Sequence, residues 1–119
     1  MLLDPLGVAS HPVSNGRLAI EFIRDTANHL SLVITDMDMP VHTGWDVIEA
    51  ARRHRGETLP IIMQTGEAKY TYVRRRAAEY GIVLIDKRDV QTMLVPAVRA
   101  ALALRDSSDG PAEGVGSQR

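Results

Sequence analysis

The chain reads as an α/β domain built on a mostly parallel, doubly wound sheet. Three observations predict it. Short, largely apolar runs recur at residues 32–35, 59–64 and 82–85. Runs without polar alternation suit strands covered on both faces. Segments with helical spacing separate them, and strands alternating with helices argue for parallel pairing with right-handed crossovers. Each run also leads into a chemically useful polar residue: Asp36, Thr65 or Lys87. The carboxyl ends of parallel strands are where ligands gather.

The elements follow in order. A weaker first strand is expected at residues 8–13; it contains His11 and Pro12, and proline confines a strand to an edge or bulge. A first helix over residues 15–28 places Leu18, Ile20, Phe22 and Ile23 among charges. The strand at 32–35 ends at Asp36. A second helix over 43–55 opens with Thr43 three residues before Asp46, a variant of the capping box. Its last turn carries Arg52, Arg53 and Arg55, where cations suit the helix dipole. Trp45 at its start is expected to pack. A third helix over 67–80 groups Ala68, Tyr72, Val73 and Ala77, with Thr65 as its cap and Glu67 in its first turn. The last helix is expected over 92–104, so that Pro96 falls in its first turns.

Composition narrows the function classes. The chain has 119 residues, one small domain. Residues 1–105 carry the folding pattern, whereas residues 106–119 are polar and expected to be disordered. Cysteine is absent, which excludes disulfides, thiolate metal sites and a cysteine nucleophile. Fourteen Lys and Arg against fifteen Asp and Glu give none of the basic excess of a nucleic-acid module. No apolar run approaches the about 18 residues of a membrane span, and the start Met1-Leu2-Leu3-Asp4-Pro5 lacks a secretory signal's basic region. The expectation is a cytoplasmic protein with no nucleic-acid or membrane partner. His11, His29, His42 and His54 have no ligand spacing. Arg74-Arg75-Arg76 reads as a solvated helix face.

A carboxylate, a hydroxyl and an ammonium on one rim suit phosphoryl chemistry. Asp36 can attack phosphorus to form an acyl phosphate. Thr65 and Lys87 can hold the phosphoryl oxygens, and Mg²⁺ would normally neutralise the remaining charge. The plainer alternative leaves Asp36 as a solvated acid paired with Lys87.

The segment from Leu32 to Gly44, with Asp36, Met39-Pro40 and Gly44 four residues beyond the proline, resembles the phosphoacceptor segment of response-regulator receiver domains. Ile61-Ile62-Met63-Gln64-Thr65-Gly66 resembles that family's fourth strand with its switch threonine. Asp86-Lys87 matches its fifth-strand lysine, and Asn15-Gly16-Arg17-Leu18-Ala19 the start of its second helix. The resemblance implies a flavodoxin-like (CheY-like) fold and a histidine kinase or other signalling protein as partner. It implies Asp36 as phosphoacceptor with Thr65 and Lys87 on the phosphoryl group.

The departures are specific. The usual first strand, its acidic pair and most of the first helix have no counterpart; Asp4 is the only acid before Glu21, as at the end of a minimal strand over residues 1–3. Arg88 stands where the family usually has a proline, often cis, and Leu84 where it has a switch aromatic. A Mg²⁺ site would rest weakly on Asp36 and Asp38. A sheet without its central first strand is expected to pair with a second copy, by sheet completion or swapping. The output surface would be the helix over 67–80, with Tyr70, Tyr72 and the arginine triplet. Two other readings stand beside the switch. One is a phosphorylation-independent pseudo-receiver that dimerises or binds partners. The other is a small haloacid-dehalogenase-like phosphatase, suggested by Asp36-Met37-Asp38; the chain has no cap domain or later acidic motif, so the expectation is a module that is not an enzyme.

Overall fold

The computed structural model describes residues 13–39 and 41–108. In chain order the elements are α1 (Gly16–Arg24), β1 (Val33–Asp36), α2 (Gly44–Arg55), β2 (Ile61–Thr65), α3 (Thr71–Tyr80), β3 (Val83–Asp86), a 3₁₀ turn (Lys87–Asp89) and α4 (Val90–Ser108). The three strands form one parallel sheet in the order β1-β2-β3. Successive side chains of a strand point to opposite faces, and β2 shows it. Ile61 and Met63 join a core with Ile23 of α1, Val47, Ile48 and Ala51 of α2, and Val73 of α3. Ile62 points the other way, into a second core with Ile85, Leu94 and Val98. The result is three layers, with α1, α2 and α3 on one side of the sheet and α4 on the other.

Local chemistry explains the helix ends. Asn15 caps α1 by accepting the N–H of Leu18 at 2.9 Å. Thr43 caps α2, and its own N–H donates to Asp46 at 3.0 Å, the reciprocal half of a capping box. Two arginines of α2 do more than offset a dipole. Arg55 donates to the carbonyls of Ile23, Asp25 and Asn28 at 2.8–2.9 Å, closing the end of α1. Arg52 donates to Tyr80 and Leu59 at 2.8 Å and to Gly81 at 3.2 Å, closing the end of α3. Those of Ile23 and Tyr80 are among the carbonyls that a helix leaves without partners. Burial lowers the pKa of the Arg52 guanidinium, and Glu57 partly offsets that.

Several expectations need correction. The helix after Thr65 begins at Thr71, because residues 66–69 form a turn first. Thr65 therefore caps that turn, its Oγ1 accepting the Glu67 N–H at 2.9 Å, and Tyr70 is the residue before the helix. The first helix ends at Arg24, because the Asp25 side chain accepts the Ala27 N–H and bends the chain. The last helix begins at Val90, which puts Pro96 in its second turn. Thr92 thus lacks the usual N–H from four residues on. The run at 82–85 is not covered on both faces: β3 is an edge strand and Val83 is 47% exposed. The candidate strand at 8–13 lies outside the described residues except for Val13, which belongs to no element. Leu3 and Asp4 also lie outside them.

Candidate functional site at the carboxyl edge of the sheet

The register of the sheet builds the site. Asp36 ends β1 opposite Gln64, and Thr65 ends β2 opposite Asp86. Lys87 follows as the first residue of the 3₁₀ turn. The Lys87 ammonium lies 3.1 Å from Asp36 Oδ2. Strands 1 and 3 are not neighbours, so two strand spacings, roughly 10 Å, separate them. Lys87 therefore reaches across the end of β2 to make the pair. The two side chains keep 37% and 43% of their surface, so the carboxylate is open to solvent. An ion pair this exposed contributes little to stability.

Asp36 is held on its other side as well. Its Oδ1 accepts the Asp38 N–H at 2.9 Å, an Asx-type turn that starts the loop toward α2. That loop passes close to two helix starts. The N–H of Gly44 donates to the Met37 carbonyl at 3.0 Å. A Cβ at Gly44 would press on the Asp36 carbonyl oxygen and lie 2.9 Å from Met37 Cα. A Cβ at Gly16 would lie 2.7 Å from His42 Cβ. Both glycines of the sequence motifs are thus places where backbone packs against backbone around the acid. Val41, in the same loop, is 91% exposed and has φ +67°, a strained value for a β-branched residue.

Thr65 reaches the rim differently. It is fully buried, and its hydroxyl donates to Met37 Sδ at 3.4 Å while accepting from Glu67. The structure thus brings Asp36 and Lys87 into direct contact and turns the Thr65 hydroxyl toward Met37. Met37 is a site residue that sequence reasoning missed; no periodicity distinguishes it from a core methionine.

Asp86 and Arg88 were also missed as a unit. Asp86 Oδ1 accepts both the Arg88 N–H at 2.9 Å and its Nε at 3.1 Å, and Oδ2 accepts Nη2 at 2.9 Å. The side-chain bond from Arg88, then its backbone N–H, holds the Asp86 carboxyl below its ordinary range. The same pairing raises the Arg88 guanidinium. The signal available in sequence was an Asp-x-Arg spacing just after a strand.

The other singled-out residues have structural partners. Arg76 lies over the Trp45 ring at 4.5 Å, and Trp45 packs near Tyr80, so Trp45 packs as expected. Arg74 donates to the carbonyls of Ala68 and Lys69. The Tyr70 and Tyr72 rings stack at 5.8 Å on the surface. Burial, then the bond to Glu49, raises the Tyr80 phenol. His42 faces Asp46 at 3.7 Å, and His29 meets Ser31 at 3.1 Å.

A parallel α/β sheet presenting an acid and a lysine at its carboxyl edge is the arrangement that the sequence resemblance implies. The comparisons agree: the response regulator receiver domain matches residues 2–99. The chain belongs to the response regulator receiver family of two-component signalling. Over 68 residues, 57% of this chain, it is 37% identical to the autoinducer 1 sensor kinase/phosphatase LuxN of Vibrio campbellii. It is 28% identical over 115 residues, 92% of the chain, to the luminescence regulatory protein LuxO of the same organism. The chain spans 8% of the first relative's length and 24% of the second's. Among solved structures, a response regulator receiver protein from Sinorhizobium medicae superposes with a TM-score of 0.70 at 26% identity, covering 87% of this chain and 81% of that one.

Receiver domains generally bind Mg²⁺ at the phosphorylation site. The described residues do not build such a site by themselves. Both Asp36 oxygens have partners, the Asp38 side chain is exposed, and Arg88 occupies Asp86. No group of three or more His, Asp or Glu among the described residues converges as a metal site, whereas Mg²⁺ demands near-octahedral oxygen ligation. No helix among the described residues is long and apolar enough to cross a membrane.

Proposed function

We propose that this chain is a phosphorelay switch in which Asp36 accepts a phosphoryl group from a histidine kinase or a small phosphodonor, and which signals by binding other proteins. The observation that carries the reading is the accessible Asp36–Lys87 pair, 3.1 Å apart at the carboxyl edge of a parallel sheet. An Asp36 oxygen attacks phosphorus as the donor's bond to phosphorus breaks. The product is an acyl phosphate plus the dephosphorylated donor. Lys87 then pairs with a phosphoryl oxygen in place of the carboxylate oxygen. The Thr65 hydroxyl would have to leave Met37 to reach the same group. The surface of α3 with Tyr70, Tyr72 and Arg75 is the docking face this reading favours, because its aromatic and arginine side chains are those enriched at interfaces.

Intact-mass spectrometry after incubation with acetyl phosphate tests the proposal, with and without Mg²⁺ and beside Asp36→Asn. One added phosphoryl group on the wild type and none on the variant is the expected result. Catalytic release of phosphate from a phosphomonoester would instead favour the phosphatase reading. An unlabelled wild type under every condition would overturn the switch.

The second reading, a pseudo-receiver that acts by assembly, draws on two features. The Thr65 hydroxyl is already satisfied in the core, and β1 has no strand on its outer edge among the described residues. An open edge is a template for pairing. Light scattering across concentration would show a dimer under this reading, independent of phosphodonor; a monomer throughout would sink it.

A further inference from the structure

The ion pair at the site depends on a lysine that must cross the end of an intervening strand. Lys87 sits between Asp86 and Arg88, and those two neighbours are locked to each other. One carboxylate takes the Arg88 backbone N–H at 2.9 Å and both Nε and Nη2 of its side chain at 3.1 and 2.9 Å. The arrangement is lopsided: Asp86 is 13% exposed and Arg88 82%. An arginine this exposed normally contributes little. Here it closes a bidentate fork on a carboxylate that is largely withdrawn from solvent, the geometry in which arginine outperforms lysine. The backbone bond caps the 3₁₀ turn, and the side-chain bonds keep the same carboxylate from swinging away.

We infer that Asp86 and Arg88 form a clasp that positions Lys87, making Arg88 a positioning residue for the phosphoryl site. Arg88 acts through Lys87 and touches neither Asp36 nor the donor. The inference rests on the reading of Asp36 as phosphoacceptor for its kinetic consequence, and not for its structural one.

The test is a double-mutant cycle between Arg88→Ala and Lys87→Ala in the full chain, with two readouts. The first is the rate of acetyl phosphate labelling at Asp36 by intact mass. The second is the ¹⁵N signal of the Lys87 ammonium, which an ion-paired lysine shows and a freely hydrated one loses to exchange. Arg88→Ala should slow labelling about tenfold, the scale of a reacting group displaced by a fraction of an ångström. It should also erase the Lys87 signal. In the Lys87→Ala background it should add nothing, and Arg88→Lys should restore only part of the rate. Equal slowing by Arg88→Ala with and without Lys87 would show a merely structural role and overturn the clasp. So would an unchanged rate together with a retained Lys87 signal. Should the wild type take no label, the phosphoacceptor reading fails, and the Lys87 signal still decides the clasp.

Discussion

The Asp86 carboxylate shows how one residue's chemistry becomes a property of the fold. Arg88 holds it below its ordinary value, so across that interval the folded chain binds fewer protons than the unfolded one. Stability then rises with pH through the interval. The contribution is complete above the unfolded value, near pH 4, and is lost as pH falls through the lower folded value. Urea denaturation of the wild type and Asp86→Asn should therefore show a gap that is constant near neutral pH and closes below about pH 4. A gap that persists undiminished into strong acid would mean the carboxylate is not the group responsible. Gly44 makes a related point about size. It is the one residue type that lets the start of α2 lie against the Asp36 carbonyl.

Among the elements, α2 is the organiser. One face packs Val47, Ile48 and Ala51 into the core. Its final turns send Arg55 to α1 and Arg52 to α3. Hydrogen bonds from a charged donor each contribute about 1.5–3 kcal/mol. Arg55→Ala should cost stability on that order and, more tellingly, loosen a defined place. Amide exchange should accelerate across residues 22–28 while β2 stays protected. Uniform acceleration across the chain would show that Arg55 is not a local clamp. Sequence logic placed these arginines correctly at a helix C-terminus and named no partners for them. Local reasoning sees the dipole of their own helix, whereas most of the carbonyls they satisfy lie about 30 positions away in sequence, as from Arg55 to Asp25.

For the whole molecule, the two faces of the sheet are unequal. Three helices share one core, and among the described residues α4 covers the other through Ile62, Ile85, Leu94 and Val98. Ile62 is fully buried in the central strand. Truncating it to alanine should cost about 2–5 kcal/mol, with α4 amides losing protection before those of α2. Equal loss in both helices would mean the two cores behave as one. The strand register, not this asymmetry, puts the acid and the lysine at the carboxyl edge of the sheet.

Much of this was legible from the residues alone. Apolar runs ending at Asp36, Thr65 and Lys87 specified three parallel strands and the edge where their ends meet, because period and polarity are local properties. The Asn15-Gly16 and Thr43-Asp46 patterns marked helix starts for the same reason. The Asp36–Lys87 pairing stood among the sequence readings, and the Arg88–Asp86 contact spans only two residues. Tertiary structure alone decided the rest. It turned Thr65 onto Met37 and left β3 at an edge. Each of those depends on which strand lies beside which, and on which side chain reaches a group first. Neighbour order and side-chain reach are set by the packing of the whole chain, so no stretch of sequence contains them.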